Sequence, residues 1–78
     1  EISMIVNEIV FLVEEDAEGG FTAKALGHSI FTEGETMEEL KTNIKNALNC
    51  HFDKKEYVPS VVRLHIVKEE TLAYASNT

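Results

Sequence analysis

The alternation of hydrophobic and polar residues predicts three strands in succession, then a helix and a last strand. The segment Ile5–Glu14 is rich in Ile, Val and Phe, and between Ile9 and Val13 it is apolar on both faces, which is typical of a central strand. Phe21–Leu26 alternates with period two, as a half-buried strand does. A short third strand is expected over Ser29–Glu33.

Two glycine-containing connections join these strands. Glu15–Gly20 ends in two glycines, which accept the positive φ angles that other residues resist. Gly27 and His28 form the second connection, and their spacing predicts a tight reversal. The first three strands are therefore expected to form an antiparallel meander.

The helix begins with a capping box at Thr36 and Glu39, in which the Thr36 hydroxyl accepts from the Glu39 amide and the Glu39 carboxylate returns a bond. The residues that follow place an apolar stripe on one helix face, which must pack on the sheet. This stripe consists of Met37, Leu40, Ile44, Ala47, Leu48 and His51. After a polar connection, Val62, Leu64 and Ile66 alternate with polar residues and predict the last strand.

The order of these elements determines the fold class. A three-strand meander leaves the third strand parallel to the first, and the helix must return the chain before the fourth strand. We expect an α+β fold, β-β-β-α-β, with a four-stranded mixed sheet in the order 3-2-1-4. One sheet face lies under the helix, and the uncovered face is suited to contact with a second copy.

Length and composition indicate one small globular domain. The 78 residues, of which 44% are hydrophobic and 27% charged, suffice for one core, expected over residues 5–68 of a single 1–78 domain. So short a chain favours self-association. A single cysteine, Cys50, and the lack of a long apolar run favour the cytoplasm and exclude a membrane anchor.

The net charge of −7 is unevenly distributed along the chain. Residues 1–40 contain ten acidic residues and one lysine, whereas residues 41–78 contain six basic and four acidic residues. An acidic half repels the phosphates of nucleic acids and attracts cationic proteins. We expect no direct nucleic-acid binding, and a basic protein as partner.

Cys50, His51 and His65 are the residues that could bind a metal or form a nucleophile. Adjacent positions on a helix point about 100° apart, so Cys50 and His51 cannot act together. His51 also lies on the apolar stripe, where it is expected to pack between helix and sheet. We therefore predict no metal site, no cofactor and no catalytic residue.

Acidic residues are the other candidates for chemistry, because paired carboxylates can hold the metal ions of a nuclease. Glu8 and Glu69 are the candidates on or beside strands, and neither has an evident third partner. Other acids occupy a turn or the first turn of the helix, where solvation and the helix dipole account for them. A metal-dependent nuclease is thus an alternative to a binding function.

Three passages within Ile9–His51 resemble the N-terminal domain of HicB-type antitoxins. They are the acidic hairpin Glu14–Phe21, the passage Phe31–Thr36 and the helix start Met37–Leu40. The resemblance implies a partly degraded ribonuclease-H-like fold, self-association and neutralisation of HicA, a small basic toxin that cleaves messenger RNA. The chain departs from many HicB proteins by its short Gly27-His28 connection, and we expect no C-terminal DNA-binding domain.

We therefore expect a HicB-like antitoxin, or an orphan binding module of that family, that contacts a small basic HicA-like protein. The alternatives are a residual metal-dependent nuclease on the ribonuclease-H-like framework and a purely structural homo-oligomer. Partner contact is assigned to the acids that neither capping nor the helix dipole requires. They are Glu14, Glu15, Asp16, Glu18, Glu33 and Glu35.

Overall fold

The computed structural model describes residues 7–52 and 58–74 and confirms the predicted α+β fold. The sheet order is β3-β2-β1-β4. β1 pairs with β2 antiparallel and with β4 parallel, and β2 pairs with β3 antiparallel. The elements are β1 (Glu8–Glu15), β2 (Phe21–Ala25), β3 (Phe31–Gly34), α1 (Met37–His51) and β4 (Val61–Val67).

The strand bounds differ from the predicted ones by one residue at several ends, and by more at the starts of β1 and β3. Asn7 lies outside β1, and the predicted strand residues Ile5 and Val6 fall outside the described residues. β3 begins at Phe31 and not at Ser29, because the reversal after β2 needs more residues than Gly27 and His28. The Ala25 amide donates to the Ile30 carbonyl across 3.0 Å and closes this longer connection.

The core lies between the helix and one face of the sheet. β1 is its centre, as predicted, since alternate β1 residues are buried. The helix contributes three buried residues from the predicted stripe. The buried residues are Ile9, Phe11, Val13, Ala23, Ala25, Ile30, Leu40, Ile44 and Leu48.

The start of α1 matches one half of the predicted capping box. The Thr36 hydroxyl accepts from the Glu39 amide at 3.0 Å, which satisfies a helix N–H that has no intrahelical partner. The Glu39 carboxylate, however, accepts from the amide of Glu35 and not from that of Thr36. Thr36 is extended (φ −127°, ψ 165°), and the Glu35 amide is the one within reach.

The helix packs mainly over β3 and β2, and it leaves β4 largely uncovered. Only Leu64 of β4 is partly buried against the core. Val62 and Ile66 share its sheet face but are 37% and 55% exposed. The alternating pattern therefore predicted the strand β4 correctly, but most of the apolar residues of β4 remain accessible to solvent.

Gly34 allows the helix to approach β3 closely. A Cβ atom built on Gly34 would lie 2.6 Å from the Leu40 nitrogen and 2.8 Å from its Cα atom. Both contacts are with backbone, which cannot rotate away as a flexible side chain could. Glycine at this position therefore determines how the first turn of α1 lies against the end of the sheet.

Replacing Gly34 by alanine is expected to destabilise the domain, because the helix must move away from β3. Overpacking of this kind costs about 1–3 kcal/mol. Urea unfolding followed by circular dichroism measures the change. Gly19→Ala is the comparison variant. Nothing lies within 4 Å of the Cβ atom added there, so any loss of stability comes from the strain of alanine at a φ of +104° and not from overpacking. A Gly34→Ala variant as stable as the parent would contradict the close approach.

Candidate functional site

The acidic residues of β1 and β3 lie at the same end of the sheet. β1 and β3 are both antiparallel to β2, so their carboxyl ends coincide. Glu14 and Glu33 are each directly opposite Thr22, which places their Cα atoms about 10 Å apart on the uncovered face. We call this end of the sheet, with its two adjoining connections, the acidic edge.

A cleft lined by carboxylates lies between the β1–β2 turn and the β3–α1 connection. The cleft has a volume of about 470 Å³, and none of the described residues that line it is basic. Four carboxylates are among its lining residues. The lining residues are Asp16, Gly19, Gly20, Phe21, Thr22, Glu33, Gly34, Glu35, Glu39 and Asn43.

Hydrogen bonds within the β1–β2 turn hold Asp16 at one wall of this acidic cleft. The Asp16 carboxylate accepts from the Glu18 amide at 2.9 Å, the local pattern that makes Asp common in turns. The Asp16 amide donates to the Gly20 carbonyl, and the Gly19 amide donates to the Asp16 carbonyl. The turn is therefore fixed by its own backbone and does not depend on a ligand.

The opposite wall is formed where β3 enters the helix. The side-chain amide of Asn43 donates to the Glu33 carbonyl at 2.7 Å and joins α1 to the end of β3. The Glu39 carboxylate accepts from the Glu35 amide at 3.0 Å. Sequence reasoning had assigned Glu39 only to capping and had overlooked Asn43. Their spacing of four residues, which places both on one helix face, was the available signal.

Five of the six acids predicted for partner contact line one of two recesses. Asp16, Glu33 and Glu35 line the acidic cleft. Glu14 and Glu15 line a second recess with Val67, Lys68, Glu69 and Glu70. Glu18 lies in the turn and lines neither recess. All six are exposed, so their carboxylates are accessible to a cationic partner.

The carboxylates proposed for a nuclease do not converge. Glu8 begins β1, whereas Glu69 follows the carboxyl end of the parallel strand β4, so the two lie at opposite ends of the sheet. Glu8 also forms an ion pair with Arg63. In residues 7–52 and 58–74, no three His, Cys, Asp or Glu side chains are arranged to hold a metal ion.

The prediction that His51 packs between helix and sheet is wrong. The last buried residue of α1 is Leu48, and His51 lies one turn beyond the core, exposed to solvent. Its ring meets those of His28 and Phe52 edge-on, with centroid separations of 5.9 and 4.9 Å. His65 lies opposite Leu12 on the uncovered sheet face, and Cys50 is exposed near the helix end.

Two proteins from thermophilic organisms are similar to this chain. A UPF0150 protein of Archaeoglobus fulgidus is 51% identical over 51 residues, which cover 65% of this chain and 76% of that protein. A UPF0150 protein of Thermotoga maritima is 47% identical over 66 residues, covering 85% of this chain and 91% of that protein. This chain belongs to the UPF0150 family.

Other comparisons add nothing to the UPF0150 assignment. No family model matches the chain. No solved structure matches it, so the ribonuclease-H-like relation implied by the HicB resemblance stays a prediction for this UPF0150 protein. Among the described residues, no helix is long and apolar enough to cross a membrane.

Proposed function

We propose that this UPF0150 protein is an antitoxin-like binding module that neutralises a small basic RNA-cleaving protein of the HicA type. The observation that carries the proposal is the acidic cleft, in which Asp16, Glu33, Glu35 and Glu39 meet without a basic counterpart in the lining. The UPF0150 membership and the resemblance of Glu14–Phe21 to HicB proteins give the partner its expected chemistry.

Electrostatics supports a cationic protein as the ligand of the acidic edge. Like charges held near one another repel, and a positively charged surface relieves this repulsion on binding. Arginine fits particularly well, because its planar guanidinium can donate two hydrogen bonds to one carboxylate. A site of this kind would also exclude RNA, whose phosphates are repelled by the same carboxylates.

Neutralisation then follows from occupation of the partner's surface. A ribonuclease needs basic residues to bind the phosphates of its substrate. If those residues are bound by the carboxylates of the acidic edge, RNA cannot reach them. The antitoxin needs no catalytic residue for this mechanism, and steric exclusion over a protein-protein interface is sufficient.

Coexpression tests the proposal in cells. If the adjacent reading frame encodes a short basic protein, that protein is expressed alone and together with this chain. We expect growth arrest with the basic protein alone and restored growth with both, together with copurification of the two chains. A basic protein that arrests growth equally in the presence of this chain would contradict the proposal, as would the lack of such a protein beside this one.

A further inference from the structure

The outer edge of β4 is long and presents unpaired backbone groups in the part of the chain that the structure describes. β4 pairs on one side with β1, and no described strand lies on its other side. The Val61 amide donates to the Asn7 carbonyl beside β1, so alternate residues from Val61 onward direct their backbone groups towards β1. Val62, Leu64 and Ile66 therefore direct theirs to the open edge.

This edge has few of the features by which proteins prevent strand pairing. Such features include short edge strands, charged side chains such as lysine, proline and bulges. β4 extends over seven residues and contains neither lysine nor proline, and its Arg63 forms an ion pair with Glu8 of β1. The other edge strand, β3, has four residues and continues into the helix that packs against it. The two edges of the sheet are therefore not equivalent, and β4 is the one suited to pairing.

The sequence of β4 is nearly symmetric about Leu64, so an antiparallel copy would pair its apolar residues with apolar residues and would place Arg63 opposite His65. The basic residues Arg63 and His65 flank Leu64 in β4. The next residues outward are Val62 and Ile66, and the outermost are Val61 and Val67. A twofold axis at Leu64 would pair Val62 of one copy with Ile66 of the other. Because these residues direct their backbone groups outwards, three such residue pairs would exchange about six hydrogen bonds.

We propose that two copies of this chain join β4 to β4 in antiparallel fashion, centred on Leu64, to form one continuous eight-stranded sheet. Ile66 of the second copy then lies beside Val62, at a groove of about 340 Å³ between helix and β4. Val62 and Ile66 are 37% and 55% exposed in the single chain, and the junction removes part of this apolar area from water.

The positions of the two acidic edges are compatible with an antiparallel junction. Val67, at the carboxyl end of β4, is paired with Glu14 of the acidic edge. In the antiparallel arrangement the two Val67 residues lie about 20 Å apart, more than twice the ~8 Å screening length at physiological salt. The two acidic edges then scarcely repel each other, and both stay open.

The uncovered sheet face is a less suitable contact for a second copy than the β4 edge. Among its apolar residues, Val10 and Leu12 are only partly exposed, whereas Phe31, Val61 and Val67 are 64%, 41% and 39% exposed. The registers place Lys24, Arg63 and His65 among them. Covering that face would therefore remove several polar or charged side chains from water, which costs free energy unless each finds a partner.

Sedimentation of the full chain at micromolar concentration tests the junction. We expect a dimer whose dissociation constant rises at least about ten-fold in Ile66→Lys, because two lysines then lie in the junction. Leu26→Lys is the matched control: Leu26 is 52% exposed but lies outside β4, and its dimer should persist. A monomeric parent chain would overturn the proposal, as would a dimer lost in Phe31→Lys but not in Ile66→Lys.

Crosslinking determines the register independently of the dissociation constant. With Cys50 replaced by serine, Leu64→Cys should form an intermolecular disulfide, since Cα atoms of a hydrogen-bonded antiparallel pair are ~5.5 Å apart and disulfides need ~4.4–6.8 Å. Val61→Cys in the same background should not, because its two copies would lie about 20 Å apart. Equal crosslinking of both variants would contradict the register. The inference does not depend on the proposed function.

Discussion

Replacing Phe11 by alanine is expected to lower the free energy of unfolding by about 3–5 kcal/mol. Phe11 is completely buried and lies in the central strand between Ala25 of β2 and Leu64 of β4. Truncation loses the transfer free energy of the ring and leaves a cavity that the surrounding strands can fill only in part. A domain of this length has a total stability of roughly 4–12 kcal/mol, so the variant is expected to be largely unfolded at elevated temperature.

Phe31 provides the matched control for this prediction. It is also a phenylalanine in the sheet, but it is 64% exposed and lies opposite Lys24 on the uncovered face. Phe31→Ala should change stability by no more than about 0.5 kcal/mol. Urea unfolding of both variants gives the comparison directly. Similar losses in the two would mean that the core does not lie on the helix side of the sheet.

Neutralising the acidic cleft is expected to have the largest effect on partner binding. The triple variant Asp16→Asn, Glu33→Gln, Glu35→Gln removes three of the four carboxylates that line it and retains Glu39 for the helix start. Association with the adjacent basic protein should slow at least about ten-fold at low salt, because charge complementarity accelerates encounter. Stopped-flow measurements over a sodium chloride series should also show a weaker salt dependence.

A second triple variant controls for net charge. Glu38→Gln, Glu69→Gln and Glu70→Gln remove the same charge from exposed positions that do not line the cleft and are not among the six acids assigned to partner contact. This variant should associate almost as fast as the parent chain. If both triple variants slow association equally, net charge and not the cleft governs binding, and the site is wrongly placed. Circular dichroism verifies that each variant retains the fold.

Local sequence signals were sufficient for most of the fold. The helix start at Thr36 and the central position of β1 follow from residue types within one turn or one strand. How much of the sheet the helix covers does not follow from local residue types. It depends on the contact between Gly34 and Leu40, which are six residues apart and lie on different elements. The exposure of Val62 and Ile66 therefore had no signal in the pattern of β4 itself.

The candidate site was predictable in part for the same reason. The common end of β1 and β3 follows from strand order, and this order alone predicts that Glu33 lies near the first turn. The participation of Asn43 depends on a hydrogen bond to the Glu33 carbonyl ten residues away. His51 was misplaced because helical periodicity continues to the end of α1, whereas the core ends at Leu48.

Titration of RNA cleavage measures directly whether this chain neutralises the basic protein through its acidic cleft. The purified basic protein is incubated with RNA, and increasing amounts of this chain or of its cleft triple variant are added. We expect cleavage to fall to background near equimolar parent chain, whereas the triple variant, which lacks the Asp16, Glu33 and Glu35 charges, should be needed in clear excess. Undiminished cleavage in the presence of excess parent chain would show that this chain does not neutralise the basic protein.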